Sequence, residues 1–132
     1  MKSIVFTFCL FISILGFSQE QGRISTPTIA VKIPLGENVT LGDTSIQFME
    51  VLEDSRCPEG ATCIWEGQCK VKILITDKGD TPSEMEILFN SKYKIKEVTT
   101  KQGSLVKFHQ LTPYPNVDDE GKRAYVLLVS EN

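Results

Sequence analysis

Apolar and polar residues alternate with a period of two along most of the chain beyond residue 30, between short turns rich in Gly and Asp. In the segment 69–75 (C-K-V-K-I-L-I), for example, every second residue is apolar, so one face of a strand can be buried. Eight such segments occur, at 30–35, 38–42, 45–53, 68–76, 84–90, 92–98, 104–111 and 123–130. Short strands at this spacing predict an all-β, antiparallel, immunoglobulin-like sandwich of seven or eight strands.

The first residues predict export. One positive charge at Lys2 precedes an apolar run from 4 to 15, and small residues then lead to Ser18 and Gln19. This order is typical of a secretory signal peptide at 1–18, cleaved near Ser18-Gln19, and the apolar run falls short of the about 20 residues that a membrane span needs. We therefore expect a periplasmic or extracellular protein with a polar leader at 19–30, a single domain at 31–132 and no membrane span.

The charge balance is mildly acidic and uneven. The formal net charge is −3, and between Asp43 and Glu66 six acidic residues accompany a single base, Arg56. A nucleic-acid-binding protein needs a clustered basic face, so this balance predicts no nucleic-acid partner. The acidic segment has two interpretations, an ordinary solvated surface or a surface that steers a charged partner.

Three cysteines remain after the predicted signal peptide: Cys57, Cys63 and Cys69. Pro58 and the glycine at position 60 allow the chain to turn back between the first two, so Cys57–Cys63 is the expected disulfide, with Cys63–Cys69 as the alternative. Cys69 would then be a buried thiol. Trp65 lies two residues after Cys63. We expect its ring to pack on the disulfide, with an exposed anchor for a partner as the alternative.

Catalytic and cofactor motifs are missing from the sequence. It has no nucleophile elbow, no glycine-rich phosphate loop and one histidine, His109. The cysteines and His109 could in principle form a zinc set, but their spacing is not that of a structural zinc site. The segment 116–121 opens like a calcium loop, yet its twelfth position is Leu127 instead of Glu. We therefore predict no enzymatic activity, no catalytic residues, no metal and no cofactor.

Three short motifs resemble a known protein group: D-S-R-C-P at 54–58, C-I-W-E-G at 63–67 and L-T-P-Y-P at 111–115. They are similar to the recurring pattern of an uncharacterised family of small bacterial exported or lipoprotein β domains, over roughly residues 34–129. Glu66 stands where that family usually has a small residue, and Cys69 lies outside the pattern. The resemblance implies a β fold with a disulfide and no assigned reaction.

From these features we predict a secreted, non-catalytic binding module whose contact surface is the disulfide-closed loop 54–67. The candidate binding residues are Arg56, Pro58 and Trp65, and the partner is an unknown protein or envelope ligand. Two alternatives remain open. One is a protease inhibitor that presents Arg56 to a trypsin-like site, and the other is a purely structural envelope protein.

Overall fold

A computed structural model describes residues 29–90, 94–119 and 121–131 of the chain. The predicted signal peptide at 1–18 and most of the predicted leader at 19–30 lie outside the described residues. So do positions 92 and 93 of the predicted strand 92–98. Among the described residues, no helix is long and apolar enough to cross a membrane.

Eight strands make up the regular structure of the described part of the chain. They are β1 (Val31–Pro34), β2 (Asn38–Leu41), β3 (Thr44–Asp54), β4 (Gln68–Asp77), β5 (Ser83–Asn90), β6 (Lys96–Thr99), β7 (Leu105–Thr112) and β8 (Val126–Glu131). They form two four-stranded antiparallel sheets, ordered β2-β3-β4-β5 and β1-β8-β7-β6. The predicted all-β antiparallel sandwich is therefore confirmed. The four consecutive strands β2 to β5 form one sheet, whereas an immunoglobulin domain distributes consecutive strands between its two sheets. The immunoglobulin-like prediction therefore holds for the two-layer arrangement and not for the strand order.

The core lies between the two sheets and follows the alternation of the sequence. In β4 the buried positions are the odd-numbered ones from Cys69 to Asp77, and the intervening residues stay partly exposed. Strand β3 changes register between Phe48 and Glu50, where a β-bulge restores the inward direction of the apolar residues. Phe48 and Phe108 are fully buried, one from each sheet. Removing either layer would therefore expose the core of the other.

Two long loops lie at the same end of the sandwich. The disulfide loop (residues 55–67) joins β3 to β4, and the β7–β8 loop (residues 113–125) joins the two central strands of the second sheet. Each loop leads into a strand whose first residues are paired on both sides, because β4 begins between β3 and β5 and β8 begins between β1 and β7. The loops are therefore held by the most constrained strands of the fold.

Asp77 connects the two sheets at the opposite end. Its side chain is buried and accepts a hydrogen bond of 2.8 Å from the Thr44 hydroxyl at the start of β3. The other carboxylate oxygen accepts a bond of 3.0 Å from the backbone N–H of Lys101, in the turn between β6 and β7. One carboxylate thus satisfies a donor from each sheet.

We predict that Asp77→Ala lowers the free energy of unfolding by about 2 to 3 kcal/mol, because the buried Thr44 hydroxyl and the partly buried N–H of Lys101 lose a charged acceptor. Urea titration followed by circular dichroism measures the change. The control is Asp80→Ala, which removes an exposed ion pair with Lys101 and should cost less than about 1 kcal/mol. Equal costs for the two variants would contradict a bridging role for Asp77.

Candidate functional site

The disulfide loop and the β7–β8 loop pack against each other. The backbone N–H of Glu59 donates to the carbonyl of Pro115 at 2.8 Å, and the N–H of Val117 donates to the carbonyl of Glu59 at 3.2 Å. Glu59 and Asn116 thereby form a short parallel bridge. The two loops therefore act as one surface at this end of the sandwich.

The disulfide joins Cys57 to Cys63, as predicted, with 5.9 Å between the two Cα atoms. Pro58 lies inside this ring, half-buried, and its carbonyl accepts a 3.1 Å hydrogen bond from the N–H of Ala61. The ring is therefore closed twice, by the covalent bond and by a backbone turn. Pro58 contributes to the shape of the loop and not to its exposed tip.

The base of the loop is fixed by backbone pairing. Ser55 N–H donates to the carbonyl of Gln68 at 2.8 Å, and Cys57 N–H donates to the carbonyl of Glu66 at 3.0 Å. Gly67 has a φ of +72°, and a side chain there would overlap the carbonyl oxygen of Ser55. The glycine of the C-I-W-E-G motif is thus required by the close approach of the two loop stems.

Arg56 lies under the loop, bound to groups of both loops. Its Nε and Nη2 donate to the two carboxylate oxygens of Asp54 at 2.7 and 2.8 Å. Nη1 donates to the carbonyl of Leu111 at 2.7 Å, and Nη2 also donates to the carbonyl of Pro113 at 3.1 Å. The guanidinium carbon lies 4.8 Å from the centre of the Tyr114 ring. Arg56 therefore connects the D-S-R-C-P motif to the L-T-P-Y-P motif.

The expectation that Arg56 is exposed is wrong, whereas its role as a binding residue stays a prediction. Its side chain retains 10% of its possible exposure, and Asp54 retains 5%. Sequence reasoning placed a charged residue beside a turn at the surface, whereas the carboxylate and two carbonyl groups satisfy the guanidinium inside the fold. A protease could not reach this side chain without separating the two loops.

Asp54 is the centre of this network. In addition to Arg56, it accepts a hydrogen bond of 3.0 Å from the Tyr125 hydroxyl, and Arg123 lies 3.7 Å away. Arg123 in turn pairs with Asp119 at 2.7 Å. Burial by itself would raise the pKa of Asp54, but the hydrogen bonds and charge of Arg56, together with the Tyr125 hydroxyl, outweigh it and hold the pKa below its ordinary value. The carboxylate is therefore ionised at neutral pH.

Ile64 and Trp65 form the exposed pair at the tip of the disulfide loop. The side chain of Trp65 is 73% exposed and that of Ile64 is 94% exposed. The expectation that Trp65 packs on the disulfide is therefore wrong, and its other interpretation, an exposed anchor, fits the geometry. Sequence reasoning did not select Ile64, although its position between Cys63 and Trp65 was a usable signal.

A shallow depression of about 440 Å³ lies beside the Trp65 ring. We call it the Trp65 depression, and the residues that line it include Glu53, Ser55, Trp65, Glu66, Gly67 and Gln68. Glu53 accepts hydrogen bonds from the Ser55 hydroxyl at 2.8 Å and from the Gln68 amide at 3.2 Å. These bonds lower the pKa of Glu53. The depression therefore combines Trp65 with two carboxylates, of which Glu53 is held in place by neighbouring side chains.

A larger cleft of about 620 Å³ opens on the other side of residues 66 and 67, between the two sheets. Cys69, Phe89 and Leu111, all buried, line it together with His109 and Lys94. Cys69 is a free thiol with 1% exposure, as predicted, and burial raises its pKa to about 11 although the charge of Arg56 acts in the opposite direction. A thiol with this pKa stays protonated at neutral pH and is a weak nucleophile.

His109 occupies the position in β7 at which the pairing with β8 changes register. Its Nε2 lies 2.8 Å from the hydroxyl of Ser130, which is fully buried. The zinc alternative required free thiolates from all three cysteines, and the disulfide removes two of them. Within the described ranges, no group of three or more His, Cys, Asp or Glu residues is arranged to hold a metal ion.

We predict that Asp54→Asn costs about 3 kcal/mol of stability at pH 7, because a partner of a buried ion pair is removed. The folded-state pKa lies below the unfolded value of about 3.9, so the stabilisation is complete above about pH 4 and is lost as the pH falls through the folded-state pKa. Thermal unfolding at several pH values should therefore show a gap between wild type and variant that narrows in acid.

The control is Asp43→Asn, which removes an exposed pair with Lys78 and should change stability by less than about 1 kcal/mol. A gap between wild type and Asp54→Asn that stays constant down to the lowest pH would contradict the ionised, paired state of Asp54.

The cysteines allow a second prediction. Replacing both Cys57 and Cys63 by Ser should lower stability by about 2 kcal/mol through loop entropy, and Cys69→Ala by about 1 kcal/mol. In protein that begins at Gln19, thiol titration should find one reactive group, and only after denaturation. A reactive thiol in the native protein, or peptide mapping that places Cys69 in a disulfide, would contradict this arrangement.

The chain matches no protein-family model, no curated protein and no solved structure. The resemblance of its three motifs to small exported β domains therefore stays a prediction. Arguments about function rest on the geometry of the two loops.

Proposed function

We propose that the protein is an exported, non-catalytic binding module that contacts a partner protein through the tip of its disulfide loop. The observation that carries the proposal is the exposed pair, in which Ile64 and Trp65 place large apolar side chains in water directly after the covalently closed ring of residues 57–63. Export, to the periplasm or beyond, is part of the proposal because it rests on the residues at 1–18. It is consistent with the disulfide.

Energetic considerations support this use of the loop. Tryptophan is among the residues that contribute most to binding energy at protein interfaces. Ordering a flexible loop reduces affinity, so a loop already fixed by a disulfide, backbone bonds and Arg56 loses less freedom when it binds. Trp65 and Ile64 thus become the anchors, while Arg56 and Pro58 keep the loop in shape.

The two alternatives receive different support. A purely structural envelope protein remains compatible with the clamped loops, but it gives no reason for an exposed Trp65 beside an exposed Ile64. A trypsin inhibitor would need Arg56 extended into the protease, and its guanidinium is engaged by Asp54 and two carbonyl groups. We therefore place the structural role second and the inhibitor third.

The test is capture from envelope extracts of the source cells, with the exported protein immobilised through its C-terminus. We expect wild-type protein to retain a partner that Trp65→Ala does not retain. Loss of a central tryptophan costs on the order of 2 kcal/mol or more, which corresponds to about thirtyfold weaker binding.

Met49→Ala is the control, because it truncates an exposed apolar side chain on β3, away from the disulfide loop. It should capture the partner as wild type does. Circular dichroism must show both variants folded, which we expect because neither side chain belongs to the core. Identical capture by wild type and Trp65→Ala would contradict the proposed contact surface.

A further inference from the structure

The charges around the exposed pair favour one kind of partner. Glu53 and Glu66 line the Trp65 depression, and none of the described residues that line it is basic. Glu59 adds a further carboxylate, exposed like Glu66 and on the same loop, whereas Glu53 is partly buried at the end of β3. The surface next to the Trp65 ring is therefore negative as well as apolar.

The single base of the acidic segment does not offset this charge. Arg56 lies beneath the loop, and Asp54 neutralises it with two hydrogen bonds. The nearest base along the strands is Lys70, opposite Glu53 in β4, and it pairs with Glu86 at 3.6 Å. Lys70 also attracts the Glu53 carboxylate. The described residues of the disulfide loop contain no base besides Arg56 that could offset Glu59 and Glu66.

We propose, on the basis of the proposed function, that the partner inserts a basic side chain into the Trp65 depression and an apolar side chain against Ile64. A cation over the face of tryptophan is attracted by the ring, and this attraction is strongest for tryptophan among the aromatic residues. Glu53 and Glu66 add Coulombic attraction for the same cation. An acidic or phosphorylated partner would meet repulsion at this position.

Preorganisation strengthens the inference. Glu53 is held by Ser55 and Gln68, and its pKa is lowered, so its negative charge is present at neutral pH. A long lysine or arginine stem can lie along the indole while its charged head reaches the carboxylates. The depression therefore suits a basic side chain flanked by an apolar one, as on an exposed segment of a protein.

Trp65 is the only tryptophan of the chain, so its fluorescence reports directly on this surface. The probe is a short synthetic peptide with a lysine beside a leucine, and the matched peptides carry norleucine or glutamate in place of the lysine. We expect the lysine peptide to change the emission of Trp65 at lower concentration than either matched peptide.

A change of ionic strength and two charge substitutions test whether the response to the lysine peptide is electrostatic. Raising the ionic strength from about 0.01 to 0.15 M shortens the Debye length from about 30 to 8 Å and should weaken the response to the lysine peptide. Glu66→Gln should weaken it about threefold to fivefold. Glu84→Gln, which removes the same charge near the start of β5, where it pairs with Lys72, should leave it unchanged.

Several results would overturn the proposal: equal responses to the three peptides, no response to the lysine peptide, or preference for the glutamate peptide. A larger response to neutral phosphatidylcholine vesicles than to the lysine peptide would also overturn it, in favour of a membrane surface. These outcomes are separate from the capture experiment. In one outcome, capture depends on Trp65 while the lysine peptide causes no stronger fluorescence response than the matched peptides. That result would support the proposed contact surface and contradict the proposed basic partner.

Discussion

Asp54 brings a buried negative charge to the point where β3 ends, and three side chains from two loops converge on it. Arg56, Tyr125 and Arg123 all contact its carboxylate. A buried carboxylate is costly unless it is paired and hydrogen-bonded, so the native arrangement is stable only with these partners in place. The disulfide loop and the β7–β8 loop are thus fixed to each other through one ionised group.

The shape of the outer surface follows from this interaction. Because Arg56 also donates to the carbonyls of Leu111 and Pro113, the stem of the disulfide loop cannot shift without leaving three acceptors unpaired. The disulfide then restricts the remaining residues of the loop. Between the two loops the buried contacts are made by Arg56, while Ile64 and Trp65 stay exposed.

The strands were predictable from the sequence because burial of one face of a sheet requires an apolar residue at every second position. The alternation in 69–75, for example, is the alternation of buried and partly exposed residues in β4. The roles of Arg56 and Trp65 were not predictable in this way. The partners of Arg56 lie 55 and 57 residues away, at Leu111 and Pro113, and no local pattern distinguishes a buried arginine with distant acceptors from an exposed one.

Under the proposed function, stability and recognition depend on different residues of the same short segment. Asp54, Arg56 and Gly67 each make contacts that no other side chain at that position could make, so changes there alter the fold before they alter binding. Ile64 and Trp65 lie almost entirely in water, and their replacement removes little buried surface. A purely structural loop would gain solubility if these two side chains were polar, since exposed apolar pairs promote association. The proposed partner, by covering both side chains, would account for their exposure on a rigid, acidic loop.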